Sequence, residues 1–319
     1  MPKSPELTRP SPQPTASALR PKLVYYFQLT RLHKFPLGNI LVIWPCLWSL
    51  AMVAYKQDLD VQNFSVLAGA FILGGTLVHS AACVINDICD IDFDRQVERC
   101  KDRPLPSGLI SLHEAWLLLA ILTCACLALL SFAANTTAIL VGLFGIFPLH
   151  GLYPLMKRWT YWPQAWLGFA MNWGFPVAWL TVAPDYDKSE LILFATSILG
   201  CVCWTIVYDT EYACQDRKDD AKAGVKSTAL LFGDHVRSVL AVFAILFLAS
   251  LVLIGVLNGQ TAVYFVVSCG GAAAHLAWQL RFWDVDDPAD CGAKFKANGD
   301  LGYFVSAGLL LDYAVAKVY

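Results

Sequence analysis

The feature that most constrains this chain is the recurrence of long segments without a charged side chain. Lys34 to Lys56, Asp60 to Asp87, Glu114 to Lys157, Arg158 to Asp185, Glu190 to Asp209 and Arg237 to Arg281 each enclose an uninterrupted, mostly apolar run. A helix of about 20 such residues spans the hydrocarbon layer of a bilayer. The runs after Glu114 and Arg237 are long enough for two spans each. Ala134-Asn135-Thr136-Thr137 offers a turn in the first, and Asn258-Gly259-Gln260 in the second. A last segment, Leu301 to Ala316, carries Asp312 and is less apolar. The spacing predicts an all-α membrane protein, a bundle of about nine transmembrane helices. Only 15% of residues are charged, against about 25% in a soluble domain. Lipid is therefore the expected solvent, and no nucleic-acid partner is expected.

Pro2, Pro5, Pro10, Pro12, Pro14 and Pro21 crowd the start of the chain. This predicts a disordered tail over 1–24 ahead of a membrane domain over 25–319. The tail has no apolar stretch of the secretory type, and Arg9 and Arg20 alone do not make an Arg-rich mitochondrial leader. The expectation is an endomembrane protein, of the endoplasmic reticulum or Golgi, rather than one of the mitochondrial inner membrane. The eleven cysteines form no C-x-x-C pair and fall mostly in apolar runs. They read as small packing residues.

The charges sort by side. With the N-terminus cytosolic, all of the 23 basic residues except Lys56, Lys188 and Lys317 fall in the tail or in the loops after helices 2, 4, 6 and 8. That is the positive-inside distribution.

Two acidic motifs lie on that same side. In the first, Asn86, Asp90 and Asp94 are spaced i, i+4, i+8, with Asp87 beside them. In the second, Asp209, Asp216 and Asp220 fall at i, i+7, i+11, with Tyr212 nearby. Each set shares one face of a helix. Carboxylates that close repel one another unless a cation is shared, and hard oxygen ligands in this number suit Mg²⁺. Each motif follows the second helix of a four-helix block, which suggests two four-helix pseudo-repeats plus one helix, with paired sites facing one cavity. Acids at the membrane boundary are costly and usually functional. Arg95, Arg99, Lys101 and Arg103 follow the first motif, Lys222 and Lys226 the second, and Lys157 and Arg158 lie between. Such groups suit an anionic diphosphate. Trp166, Phe169, Trp173, Phe175 and Trp179 of helix 5 read first as packing residues, and Asn172 among them as a contact for an acceptor.

Asn86-Asp87-x-x-Asp90-x-Asp92-x-Asp94 followed by Arg103-Pro104-Leu105-Pro106-Ser107-Gly108 resembles the first signature of the UbiA-type intramembrane prenyltransferases. Asp209-x-x-Tyr212-Ala213-x-Gln215-Asp216-x-x-Asp219-Asp220 followed by Gly224-Val225-Lys226-Ser227-Thr228-Ala229 resembles the second. Arg31-Leu32-His33-Lys34, Tyr153-Pro154-Leu155-Met156-Lys157-Arg158 and Tyr161-Trp162-Pro163-Gln164 match as well. The resemblance implies a cavity open to the membrane, with Mg²⁺ on Asn86, Asp87, Asp90, Asp94, Asp209, Asp216 and Asp220. Of these, Asp90, Asp94, Asp209 and Asp216 are the expected catalytic carboxylates. Arg31, Arg95, Arg103, Lys157, Asn172, Tyr212 and Lys226 are the expected substrate contacts. The implied partners are a prenyl diphosphate, an aromatic acceptor and the lipid bilayer.

The branch most resembled is that of the 4-hydroxybenzoate polyprenyltransferases, which includes fungal enzymes of meroterpenoid pathways. His33, where ubiquinone-pathway members commonly carry an acid, and the extra Phe35 favour secondary metabolism. The expected reaction is transfer of a farnesyl group to an orsellinic-acid-type phenolic acid. A 4-hydroxybenzoate polyprenyltransferase, a membrane terpene cyclase of the same superfamily and a cation transporter are the alternatives. A transporter should carry its acids near the bilayer midplane, not at one boundary.

Overall fold

The computed structural model describes residues 16–318. Every regular element among them is helical. The first is α1, Ala16–Leu29, so the tail expected over 1–24 is already helical from Ala16. Glu114 holds this helix in place, accepting from Lys22 Nζ at 2.5 Å and from the Tyr26 hydroxyl at 3.2 Å. Residues 1–15 of the expected tail lie outside the described residues.

The first half of the bundle consists of α2 (Asn39–Lys56), α3 (Val61–Asp94), α4 (Leu112–Leu130), α5 (Thr136–Phe144) and α6 (Gly151–Trp159). A π-helical turn, Gly145–His150, joins α5 to α6. The second half holds α7 (Pro163–Asn172), α8 (Gly174–Val182), α9 (Lys188–Cys214), α10 (Arg217–Ala223), α11 (Thr228–Phe232) and α12 (Val236–Asn258). It ends with α13 (Ala262–Tyr264), α14 (Gly270–Phe282) and α15 (Pro288–Val318). Seven helical stretches among the described residues are long and apolar enough to cross a membrane. The other two expected spans differ. Helix 5 is two short helices broken at Trp173, and helix 9 is the inner part of the longer α15. Both expected turns are present. Asn135 caps α5 through Ala138 N, and Gly259 ends α12 at φ 72°.

Neighbour relations repeat between the halves: α3 lies between α2 and α4, and α9 between α7 and α12. The most enclosed span is α2, which packs against α3, α8 and α15. Trp48 on α2 meets Trp204 of α9 at 5.2 Å and Phe247 of α12 at 6.5 Å between ring centroids. Close approach of α15 to α2 requires Gly302, because a Cβ there would stand 1.9 Å from Trp44 Nε1. The outward surface carries Leu117, Ile121, Val242, Ile245, Val256 and Val266. Such a shell matches lipid rather than water.

Asp312, the misfit of the last segment, has a structural task. Buried completely, it accepts from Thr261 N at 2.7 Å and Thr261 Oγ1 at 2.6 Å, anchoring the start of α13. Asp312→Ala leaves both donors without their partner, at a cost of roughly 1–3 kcal/mol. A lowered melting point of the detergent-solubilised protein is the expected readout, and an unchanged one would refute this anchoring role.

Candidate active site

The length of α3 positions the first motif. Its 34 residues reach about 51 Å at 1.5 Å per residue, well beyond a hydrocarbon core about 30 Å thick. The last turns, with Asp87, Asp90 and Asp94, therefore project past the apolar run. They are not solvated: Asp87 and Asp90 are fully buried and Asp94 nearly so. The second motif does not share one helical face as expected: α9 stops at Cys214, so Asp209 lies on α9 while Asp216 stands at the N-cap of α10 and Asp220 within it. The break between these helices still leaves the motif at the same end of the bundle, where Arg99 links it to the first.

Asp87, Asp90 and Asp216 are each met by a cation from far along the chain, and Asp94 by one nine residues on. Arg31 donates Nη2 to both oxygens of Asp87, at 2.7 and 3.0 Å. Arg103 donates to Asp94 at 2.8 Å and reaches Asp87 at 3.5 Å. Lys157, on α6, donates to Asp90 Oδ2. Arg99 joins the motifs: it donates to Asp216 at 2.5 and 3.0 Å and to the Tyr212 hydroxyl at 2.7 Å. Asp209 lies beside Gln164 and in the field of Lys157, without an ion pair of its own among the described residues, and Tyr153 lies in the field of Asp90, Asp209 and Tyr212.

The field at this end of the bundle is strongly structured. Lys34 makes no ion pair among the described residues. Burial, and then the nearby Arg31, Arg99 and Arg103, hold its ammonium below the ordinary lysine value. Opposite in sign, burial reinforced by Asp216 pushes the Asp220 carboxyl up to about 7. The site thus holds both crowded cations and crowded acids, an arrangement that an anionic group and a metal ion would relieve together.

No three acidic, histidine or cysteine side chains converge tightly enough among the described residues to enclose a metal by themselves. Asp87, Asp90, Asp94 and Asp216 are turned to their Arg and Lys partners instead. At the first motif two buried oxygens nonetheless lack any partner, Asn86 Oδ1 and Asp90 Oδ1. Buried acceptors without donors are costly, and hard oxygens of this kind fit Mg²⁺, which needs only one or two carboxylates beside phosphate oxygens and waters.

Three expected substrate contacts point elsewhere. Arg95 follows Asp94 by about 100° of helix rotation and turns outward, to Asp92 at 3.3 Å and Pro106 O at 3.3 Å. Lys226 Nζ reaches Trp159 O at 3.5 Å and the Tyr161 ring, while its backbone N–H bonds Lys157 O. Asn172 is buried against α9, donating to Gly168 O, Cys201 O and Thr205 Oγ1. It faces a helix contact because Gln164, Gly168 and Asn172 form one stripe toward that helix. Helix-5 aromatics mostly pack: Phe175 and Trp179 are buried, and Trp166 and Trp173 donate to Leu149 O and Val141 O, each at 2.8 Å. Tyr153, Gln164 and Lys34 stood in the matched stretches without a role. Only their meeting in space marks them.

Below the charged end lies an apolar cavity of about 290 Å³, between α2, α3, α4, α5, α7 and α8, lined by Val42, Phe71, Gly75, Met171, Trp173 and others. A second cavity of about 190 Å³, between α3, α4 and α6, shares the wall residues Val78, Cys126, Ile146 and His150. One helix face leads upward from this wall, from Ile146 and His150 through Tyr153 to Lys157. The charged end and the apolar chamber therefore share a wall.

A bundle with cation-gripped acids at one end and an apolar chamber beneath them defines a class: an intramembrane enzyme for an anionic head on a hydrophobic tail. The chain belongs to the UbiA prenyltransferase family, whose sequence model matches residues 42–306. It is 46% identical to the UbiA prenyltransferase claS of Ampulloclitocybe clavipes over 97% of this chain and 96% of that protein. It is 37% identical to the mitochondrial 4-hydroxybenzoate polyprenyltransferase of Schizosaccharomyces pombe, covering 97% of this chain and 86% of the relative. The fold matches a UbiA homolog from Aeropyrum pernix K1 with a TM-score of 0.69, at 19% identity over 85% of this chain and 97% of that one. A UbiA homolog from Archaeoglobus fulgidus, solved bound to GPP and Mg²⁺, matches with a TM-score of 0.63, at 18% identity over 91% and 99%. The chain is accordingly a prenyltransferase and a multi-span integral membrane protein.

Proposed function

We propose that this prenyltransferase transfers a prenyl group, farnesyl in the first instance, from an allylic diphosphate to a ring carbon of a phenolic acid of orsellinic type. The observation that carries this reading is the convergence of both acid motifs, bridged by Arg99, at the end of the bundle where Lys157 holds Asp90 and where the α6 face leads back to the two apolar cavities. Arg31, Lys34, Arg99, Arg103 and Lys157 are the cations that would receive the diphosphate and neutralise charge on its leaving oxygen. Asn86, Asp87, Asp90, Asp94, Asp209, Asp216 and Asp220 surround the place where Mg²⁺ would be held. When bound, Mg²⁺ supplies Lewis-acid stabilisation of the departing diphosphate. The apolar walls receive the prenyl tail and keep water from the allylic carbon. The C–O bond breaks with its electron pair leaving on the diphosphate, the acceptor's ring carbon forms the new C–C bond, and the ring proton passes to the released diphosphate.

The claS relative supports a fungal pathway enzyme, and the orsellinic-type acceptor is our reading of His33 and Phe35. The 4-hydroxybenzoate polyprenyltransferases, 37% to 39% identical in several eukaryotes, support 4-hydroxybenzoate as the second reading. Their mitochondrial names also weigh against the endomembrane location expected from the N-terminal composition. Incubation of the purified protein with C10 to C20 diphosphates and a panel of phenolic acids, followed by mass spectrometry, tests the reading. A C-prenylated dihydroxybenzoic acid is the expected product. Prenylated 4-hydroxybenzoate alone would favour the second reading. A cyclic hydrocarbon formed without any acceptor would sink both.

A further inference from the structure

His150 is a polar side chain of the cavity wall to which the mechanism above gives no task. It is buried, yet it lines both apolar cavities at the place where they meet. Its Nδ1 stands 2.9 Å from Gly145 O. A carbonyl only accepts, so Nδ1 carries the proton, and in apolar surroundings the neutral ring then bears its lone pair on Nε2. That Nε2 is buried without a partner. The backbone contributes a second sign. His150 closes the π-helical turn Gly145–His150, and its ring reaches back five residues to that turn's first carbonyl. Such π-turns occur often at functional sites.

We infer that His150 Nε2 accepts a hydrogen bond from a phenolic hydroxyl of the acceptor and so sets the aromatic ring at the junction of the two cavities. The position suits this. Lys157, which holds Asp90, lies seven residues on, about 10 Å along the helix. A ring anchored at His150 therefore stands between the charged end and the tail chamber. The remaining walls around it, Val78, Cys126 and Ile146, offer no strong acceptor. The inference rests on the aromatic prenyl transfer proposed above and names the residue that selects a hydroxylated ring.

Two variants of the full chain in detergent test it. His150→Asn keeps an N–H for Gly145 O and removes the acceptor at Nε2. His150→Gln places an amide oxygen near the Nε2 position. Binding of 2,4-dihydroxybenzoate and 4-hydroxybenzoate is read from tryptophan fluorescence, since Trp173 lines the cavity. Kinetics are measured with farnesyl diphosphate. His150→Asn is expected to weaken binding and raise the phenolic-acid KM about tenfold, equivalent to ~1.4 kcal/mol. The KM for farnesyl diphosphate should not move, and His150→Gln should recover most of the loss. An unchanged phenolic-acid KM in His150→Asn would overturn the inference. So would an equal loss for both substrates in both variants with a lowered melting point, which would make His150 a support for the π-turn. Wild-type protein that prenylates no phenolic acid would instead overturn the proposed reaction, a result independent of these variants.

Discussion

Asp90→Ala is expected to lower turnover on the order of a thousandfold, a typical effect of removing one charge-stabilising group from an active site. Asp90 is fully buried, engaged by Lys157 on one oxygen and without a partner on the other. The free oxygen is the one that the proposed function assigns to a cation. Asp209→Ala should act similarly, because Asp209 opens the second motif beside Gln164 and Lys157. Truncating Asp90 also leaves the Lys157 ammonium partly buried without its partner, which costs stability. The check therefore combines initial rates with a melting curve and size-exclusion profile in detergent. A folded Asp90→Ala protein with near-normal turnover would refute the assignment of this carboxylate to the reaction.

Removal of divalent metal should have an equally large effect. The unpartnered oxygens of the Asn86 amide and the Asp90 carboxylate, and the burial that together with Asp216 pushes Asp220 up to about 7, describe a site suited to a cation. Prenyl transfer measured in excess EDTA should fall to background and return when Mg²⁺ is added beyond the chelator. Full activity in EDTA would mean that Arg31, Lys34, Arg99, Arg103 and Lys157 alone carry the diphosphate. A graded loss across Mg²⁺ concentrations, with KM for the diphosphate rising as metal falls, is the expected signature of metal and diphosphate binding together.

The sequence by itself determined the solvent, the elements and the addresses of the acids. Uncharged runs of membrane length, Asn135 and Gly259 at the breaks, and carboxylates at the ends of α3 and α9 are local features. They follow from hydropathy and helical period, which need no knowledge of the rest of the chain. The matched signatures added the family, because two motifs in order are specific even without contacts. What the tertiary structure decided is which side chains meet. Arg31 finds Asp87 across 56 positions, Lys157 finds Asp90 across 67, and Arg99 finds Asp216 across 117. Such pairings depend on helix rotation and depth, which no local pattern carries. The same rotations turned Asn172 toward α9 and sent Arg95 outward. They also placed the His150 ring between two cavities, with its Nε2 lone pair unmatched. Its role is a property of packing: a histidine in an apolar run becomes conspicuous only once its neighbours are known.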